Sequence, residues 1–399
     1  MTGASPPNSL YGIDLGIPLD ERRVVIADES AFNRKTLARF LQWAGIRRVE
    51  FAADADAVLG TLERFDADLL ILDTTFGGHD GIPLCRRIRQ DPRFRDMPIV
   101  MQSALNSDHL RTVCFQAGAT DVISKPVNPG ECIARVRYHL ERRALVQELR
   151  SFRERIERDL RQARAMQLAL VPEPAAVAAL AERRGLAVDA VFRSSDEVGG
   201  DFWTIVELDD GRVGLFAADL SGHGIAAAIN AFRLHTLLAR VPEGALADPA
   251  LLLHDLNGRL NEILPVGQFA TAFYGVFDTA ADQLLYAAAG TTSPILGNAA
   301  GLRAIDSAGP LLGPFAGAEY ENRVEPFRPG DHLLVYSDGV TEARDAFDRM
   351  LGEAGLLDLM ARALAAAPER PLHRLMADFD ADHGQRLRDD LTAIWVARR

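Results

Sequence analysis

The chain has 399 residues, 48% of them hydrophobic, which is enough for two or three domains each with its own core. A formal charge of −12 and a pI near 5.3, with no basic block to offset them, exclude a general nucleic-acid binder. No apolar stretch reaches the roughly 18 residues of a membrane span, and the N-terminus lacks a basic-plus-apolar leader pattern, so a cytoplasmic location without membrane contact is expected.

Residues 1–20 are polar, contain Pro and Gly, and read as a flexible arm. From 21 to 142, short β-branched runs (24–27, 69–72, 99–102, 122–123) alternate with stretches of helical period (36–43, 55–64, 82–89, 110–117). Such alternation predicts an α/β doubly wound parallel sheet with functional groups at the carboxyl ends of its strands. Cys85, Cys114 and Cys132 fall in apolar helical patterns without Cys-x-x-Cys spacing and are read as reduced core residues.

The expected strand ends carry Asp28 and Glu29, then Asp73, Ser103, and Lys125 with Pro126. An acidic pair with a third carboxylate makes a Mg²⁺ site, and a hydroxyl and an ammonium can hold the oxygens of a phosphoryl group on Asp73. Lysine occurs only at Lys35 and Lys125 in an arginine-rich chain, which sets Lys125 apart. A single Asp after a strand is most simply a helix cap, but five such positions in order favour chemistry. With the Asp80-Gly81 turn included, this segment resembles the receiver domain of two-component response regulators. The resemblance implies that Asp73 accepts a phosphoryl group from a histidine kinase or phosphotransfer protein. It also implies that Asp28, Glu29 and Asp73 bind Mg²⁺, and that Ser103 and Lys125 sense the phosphate. Val122 departs from the aromatic residue usual at its position in receivers.

Over 143–172 Arg and Glu dominate, and Leu145, Leu149, Phe152, Ile156, Leu160, Ala163 and Leu170 step by threes and fours with a stutter at Leu160. This predicts a coiled-coil linker helix and a homodimer, the alternative being one amphipathic helix lying on a neighbouring domain. Val171-Pro172-Glu173-Pro174 ends it.

Residues 173–399 mix extended runs (202–207, 213–218, 270–277, 284–288, 333–337, 391–397) with helical stretches (223–240, 249–263, 351–365, 372–383). An α+β domain is expected, an antiparallel β-sandwich flanked by helices. Four aspartates stand out in it: Asp201 after Glu197-Val198-Gly199-Gly200, Asp219 before Leu220-Ser221-Gly222-His223-Gly224, Asp338 in Ser337-Asp338-Gly339, and Asp389 before Asp390-Leu391-Thr392. Turn capping would account for any one of them. Together they form an oxygen-only donor set suited to Mn²⁺ or Mg²⁺, and clustered carboxylates themselves call for cations.

With Phe269-Ala270-Thr271-Ala272-Phe273-Tyr274 and Ser337-Asp338-Gly339-Val340-Thr341-Glu342-Ala343, the region from about 185 to 399 resembles the SpoIIE-like branch of the metal-dependent (type 2C) serine/threonine phosphatases. The preceding 163–172 segment resembles that branch's regulatory linker. The resemblance implies that Asp219 bridges two metals with the Leu220 carbonyl on one, Asp338 and Asp389 complete the other, and Asp201 binds metal or its waters. Metal-bound water would then attack a phosphoserine or phosphothreonine. The implied substrate is an anti-sigma-factor antagonist in a partner-switching pathway. Thr204 and Thr291 depart from the branch pattern. Arg193 is open between phosphate contact and a solvated strand end, and His223 between proton transfer and a helix start. The whole reads as a response regulator with a protein-phosphatase output. The alternatives are a non-catalytic adaptor for a sigma factor or its regulator, and a sensory scaffold signalling through dimerisation.

Overall fold

A computed structural model describes residues 18–76, 79–104, 108–196, 198–222, 224–298, 300–383 and 387–399. The expected arm lies outside these residues up to position 17, as do Glu197 and His223; Leu19–Glu21 form a short 3-10 turn instead of continuing the arm. The chain divides into two compact units, Met1–Ile156 and Glu157–Arg399.

The first unit runs β1 (Arg23–Ala27), α1 (Ala31–Trp43), β2 (Arg48–Ala52), α2 (Ala55–Phe65), β3 (Leu69–Asp73), a two-rung hairpin of β4 (Thr75–Phe76) and β5 (His79–Asp80), α3 (Gly81–Gln90), β6 (Ile99–Ser103), α4 (Asp108–Gln116), β7 (Asp121–Ser124) and α5 (Pro129–Leu168). The five main strands are parallel in the order β2-β1-β3-β6-β7. Both faces of the sheet are covered, so β3 (Leu-Leu-Ile-Leu-Asp) is buried at every position, as a continuous apolar run requires. Val25, Leu70 and Leu72 pack against Val58, Leu62 and Ile88, while Val24, Ile26 and Ile71 pack against Leu37, Leu41, Val136 and Leu140. Each large apolar side chain so buried contributes about 2 kcal/mol. Ser30, Asp54 and Asp80 cap α1, α2 and α3 by accepting from Asn33, Ala57 and Ile82 backbone N–H groups. All three cysteines are buried free thiols.

α5 is continuous for 40 residues, so the last helix of the first unit and the start of the charged linker are one element. Leu145, Leu149, Phe152 and Ile156 are exposed along it. Nearer its start, α5 is tied down by Asp121, which accepts from Arg135 Nη1 at 2.7 and 2.9 Å and bonds His139 Nε2 at 3.0 Å. Burial raises the Asp121 pKa, but the bonds from His139 and Arg135 outweigh it and bring the group down to about 2 from an ordinary 3.8. A lowered carboxyl pKa stabilises the fold above the unfolded value and is lost as pH falls through the folded one. Asp121→Asn is therefore expected to cost about 2 kcal/mol at neutral pH, with the difference vanishing between about pH 4 and about pH 2 in urea titrations followed by circular dichroism.

The second unit continues with α6 (Pro174–Arg183), β8 (Leu186–Arg193), β9 (Phe202–Glu207), β10 (Val213–Leu220), α7 (Ile225–Leu238), α8 (Glu243–Leu246), α9 (Pro249–Ile263), β11 (Ala270–Asp278), β12 (Gln283–Ala289), β13 (Ile295–Asn298), β14 (Gly301–Ala304), β15 (Arg323–Pro326), β16 (His332–Tyr336), α10 (Asp338–Thr341), α11 (Gly352–Ala366), α12 (Pro371–Asp382) and β17 (Leu391–Arg398). Two five-stranded antiparallel sheets, β15-β12-β11-β10-β9 and β14-β13-β16-β17-β8, stack face to face. Trp203, Leu215, Phe273 and Phe277 meet Leu296, Val335, Ile394 and Val396 between them. Leu234, Leu253 and Leu256 of α7 and α9 cover one outer face, and Leu359, Leu375 and Phe379 of α11 and α12 the other. The protein is multidomain, an α/β parallel-sheet unit followed by a helix-flanked antiparallel sandwich.

Candidate functional site

In the first unit the expected residues converge at the carboxyl ends of β1, β3, β6 and β7. Asp28 is fully buried, Asp73 and Ser103 nearly so, and Glu29 is exposed. Lys125 Nζ stands 2.5 Å from Asp73 Oδ2 and 3.4 Å from Asp28 Oδ2, so one ammonium is shared by two carboxylates and a net negative charge remains for a cation. Asp28 also accepts from Ser30 N at 2.8 Å and from Asn33 Nδ2 at 3.1 Å, so its side chain is fixed by α1. Burial raises the Asp73 pKa above the ordinary carboxyl value, partly countered by Lys125. An anionic oxygen held by a single movable cation is suited to phosphoryl transfer, because the ammonium can follow the charge onto the phosphoryl oxygens. Val122 is buried.

In the second unit, strand parity aims the groups. Val213, Leu215 and Ala217 of β10 face the inter-sheet core, so Asp219, within the strand's last turn of the pleat, opens on the same gap. Leu333 and Val335 of β16 face it from the other sheet, and Asp338 follows as the first residue of α10. Asp219 and Asp338 thus come from two facing sheets. Asp201, Asp219 and Asp338 line one cavity of about 280 Å³ together with Thr271, Thr291 and Thr392. Asp201 is buried and accepts from Thr392 Oγ1 at 2.5 Å. Asp389 precedes β17, and its charge acts on Asp219.

These carboxyls resist ionisation. Burial, and then the charges of Asp338, Asp389 and Asp390, raise Asp219 to about 7. Burial, and then Asp219, raise Asp201, while burial and Glu342 raise Asp338. Among the described residues no three acidic, His or Cys side chains form a group that could hold a metal ion, although Asp219 and Asp201 lie within hydrogen-bonding reach of each other. The donors nevertheless fit a hard divalent cation: they are all oxygens, they repel one another, and Gly200 leaves two of them open. A Cβ at Gly200 would stand 2.5 Å from the Leu220 carbonyl oxygen and 3.2 Å from Asp219 Oδ1.

Two functional side chains escaped the sequence reading. Asp390 is buried and accepts from Ser195 N at 2.8 Å and Gly200 N at 2.5 Å, clamping the loop that carries Asp201. Its carboxylate fills the space a side chain at Gly199 would need. Gln167, also buried, donates to Gly199 O at 2.7 Å and accepts from Gly199 N at 3.1 Å. Its position inside the recognised linker segment was the available signal. Arg193 is occupied by Asp380 at 2.5 and 3.0 Å, away from the aspartate cavity, which favours its local role. Thr204 lies on β9 and does not line the cavity, whereas Thr291 does.

The first unit has the architecture of a response-regulator receiver domain, and the second is a phosphatase-type sandwich. Residues 24–137 match the family model of the response regulator receiver domain and residues 209–399 that of Stage II sporulation protein E (SpoIIE), so the chain carries one domain of each kind. It is 33% identical over 124 residues to the transcriptional regulatory protein YvrH of Bacillus subtilis, covering 31% of this chain and 51% of YvrH. It is 35% identical over 128 residues to the transcriptional regulatory protein BaeR of Escherichia coli, covering 32% of this chain and 52% of BaeR. The chain thus spans about half the length of the curated relatives it matches. The SiaA-PP2C domain of Pseudomonas aeruginosa superposes with a TM-score of 0.54 at 21% identity, over 62% of this chain and 98% of that one, a likeness of fold. No helix among the described residues is long and apolar enough to cross a membrane.

Proposed function

We propose that this response regulator hydrolyses phosphoserine or phosphothreonine on a protein, with Mn²⁺ or Mg²⁺, under control of phosphorylation at Asp73. The observation that carries this reading is the convergence of Asp201, Asp219 and Asp338 on one cavity, each carboxyl held up by burial and by neighbouring charge. Asp219, Asp338 and Asp389 with the Leu220 carbonyl would hold two divalent cations, and Asp201 would bind metal or its waters. Bound there, such ions supply a water acidic enough to be a nucleophile toward phosphorus near neutral pH. The chain's own work is to shed the Asp219 proton, to fix Asp201 through Thr392, and to keep the Gly199-Gly200 backbone in place through Asp390 and Gln167. The SpoIIE match supports an anti-sigma-factor antagonist as the phosphoprotein. Hydrolysis of an aryl phosphate with Mn²⁺ and its loss in EDTA test the reading; absent turnover would favour the non-catalytic adaptor, and turnover that persists in EDTA would overturn the metal assignment.

In the receiver, Asp28, Glu29 and Asp73 would bind Mg²⁺, and an Asp73 carboxylate oxygen takes the phosphoryl group from a kinase or phosphotransfer histidine, which leaves as imidazole. Ser103 and Lys125 then hold the phosphoryl oxygens. The exposed apolar seam of α5 supports a homodimer through the linker. Acetyl phosphate with Mg²⁺ is expected to add one phosphoryl group to the wild type by mass spectrometry and none to Asp73→Ala. The label should change the hydrolytic rate about fivefold or more. Ile156→Asp, which breaks the seam, should keep the label and lose the rate change.

A further inference from the structure

Asp73, Ser103 and Lys125 close the carboxyl ends of the parallel strands. A separate cleft of about 490 Å³ lies near the other ends, where Pro98 and Thr120 lead into β6 and β7 and residues 139–150 of α5 form one wall. Six guanidinium groups line it, from Arg89, Arg93, Arg95, Arg142, Arg143 and Arg150, against one carboxylate, Asp96. In a chain of net charge −12 this is a local field of opposite sign.

The six are not alike. Arg89 is structural: it donates to the Gly118, Phe94 and Met97 carbonyls at 2.6–2.8 Å and to Thr120 Oγ1 at 3.1 Å. Arg93 pairs with Asp91 and Glu63, and Arg150 with Asp96 at 2.8 Å. Arg95 and Arg142 have no carboxylate partner among the described residues. Arg143 comes no nearer to one than the 3.9 Å from its Nε to Asp68, and that buried Nε makes no hydrogen bond. Burial lowers the pKa of both Arg143 and Arg89, and the Arg143 charge lowers Arg89 further. An unmade buried N–H bond and crowded like charges both cost stability, and an anion in the cleft would relieve both.

Planar, forked donors converging on one concave space recognise phosphate oxygens. The volume falls within the roughly 300–1,000 Å³ of small-molecule sites, whereas a nucleic acid or a lipid surface would need an extended basic face. Pro92 and Val146 set an apolar surface among the arginines, suited to a ring. We infer that this cleft binds a polyphosphorylated small molecule of nucleotide size, its phosphates on Arg95, Arg142 and Arg143. Because the cleft joins the 92–98 segment to residues 142–150 of α5, its occupant fixes that stretch of helix against the body of the receiver and is a regulator, not a substrate.

The test is isothermal titration of the full chain in EDTA, which removes cation-assisted phosphate binding at the aspartate sites, using sodium triphosphate, ATP and adenosine. Triphosphate and ATP are expected to bind at one site per chain, ATP the tighter, with adenosine silent and affinity falling with salt. Arg95→Glu and Arg142→Glu, both at exposed positions, should each weaken ATP at least about tenfold, and Arg143→Gln should do the same. Lys35→Glu, a like charge change on exposed α1, should leave binding intact. Circular dichroism establishes that each variant folds. Failure of triphosphate and ATP to bind at millimolar concentration overturns the proposal. So does unchanged ATP affinity in the Arg95 and Arg142 variants, or equal weakening by Lys35→Glu. Preference for an acidic peptide such as polyglutamate over triphosphate would also overturn it and point to a protein partner.

Discussion

Asp219→Asn is expected to lower Mn²⁺-dependent hydrolysis of an aryl phosphate by about a thousandfold or more while raising the melting temperature of the metal-free protein. Both effects follow from one cause. Asp219 is held at about 7 by burial and by Asp338, Asp389 and Asp390, so its charge opposes the folded state when no cation is present. Asparagine keeps the shape, removes that charge, and removes an anionic oxygen that would help hold the metals. Activity and stability should therefore move in opposite directions, as at sites where function is retained against the interests of the fold. Kinetics with 4-nitrophenyl phosphate and a thermal melt in EDTA read the two effects independently. Equal rates for wild type and variant would remove Asp219 from the chemistry and favour the adaptor. A fall in melting temperature would mean that the carboxylate is structural.

The strands and helices that build the site were legible where burial is two-sided or the period is clean. β3 is apolar at every position before Asp73, and α9 keeps its period from Pro249 to Ile263, so both stood out in the sequence. β2 was not legible as a strand, because Arg48-Val49-Glu50-Phe51-Ala52 is an edge strand with only Ala52 buried. β8 hid for the same reason, pairing with β17 alone and exposing part of nearly every residue. The four aspartates could be found because each lies in its own short glycine-bearing or acidic motif. Asp390 sits in one of those motifs, yet its work is done on Ser195 and Gly200, nearly two hundred residues earlier in the chain, a pairing only the fold creates. Gln167 likewise acts on the backbone of Gly199; its place in the linker segment marks the element but does not name a partner 32 residues away.

The second large effect concerns proton linkage in the sandwich. Asp219 has a folded-state pKa raised from 3.8 to about 7, and Asp201 and Asp338 are raised in the same direction. A group whose folded pKa lies above its unfolded one binds protons more tightly in the native state. Its contribution is therefore full below the unfolded pKa and lost as pH rises through the folded one. In EDTA the wild type is expected to lose on the order of 3 kcal/mol between about pH 4 and about pH 7 from Asp219. Millimolar MnCl₂ should reverse the slope, since cations bind the deprotonated carboxylates, release protons on binding, and stabilise the folded state more as pH rises. Asp219→Asn should flatten the EDTA slope and blunt the response to Mn²⁺. Urea titrations across this range, with calorimetric proton release measured in two buffers of different ionisation enthalpy, give both quantities. A wild-type protein whose stability in EDTA rises toward neutral pH relative to Asp219→Asn would show that the carboxylates are compensated within the fold. The cation requirement would then have to come from elsewhere than their mutual repulsion.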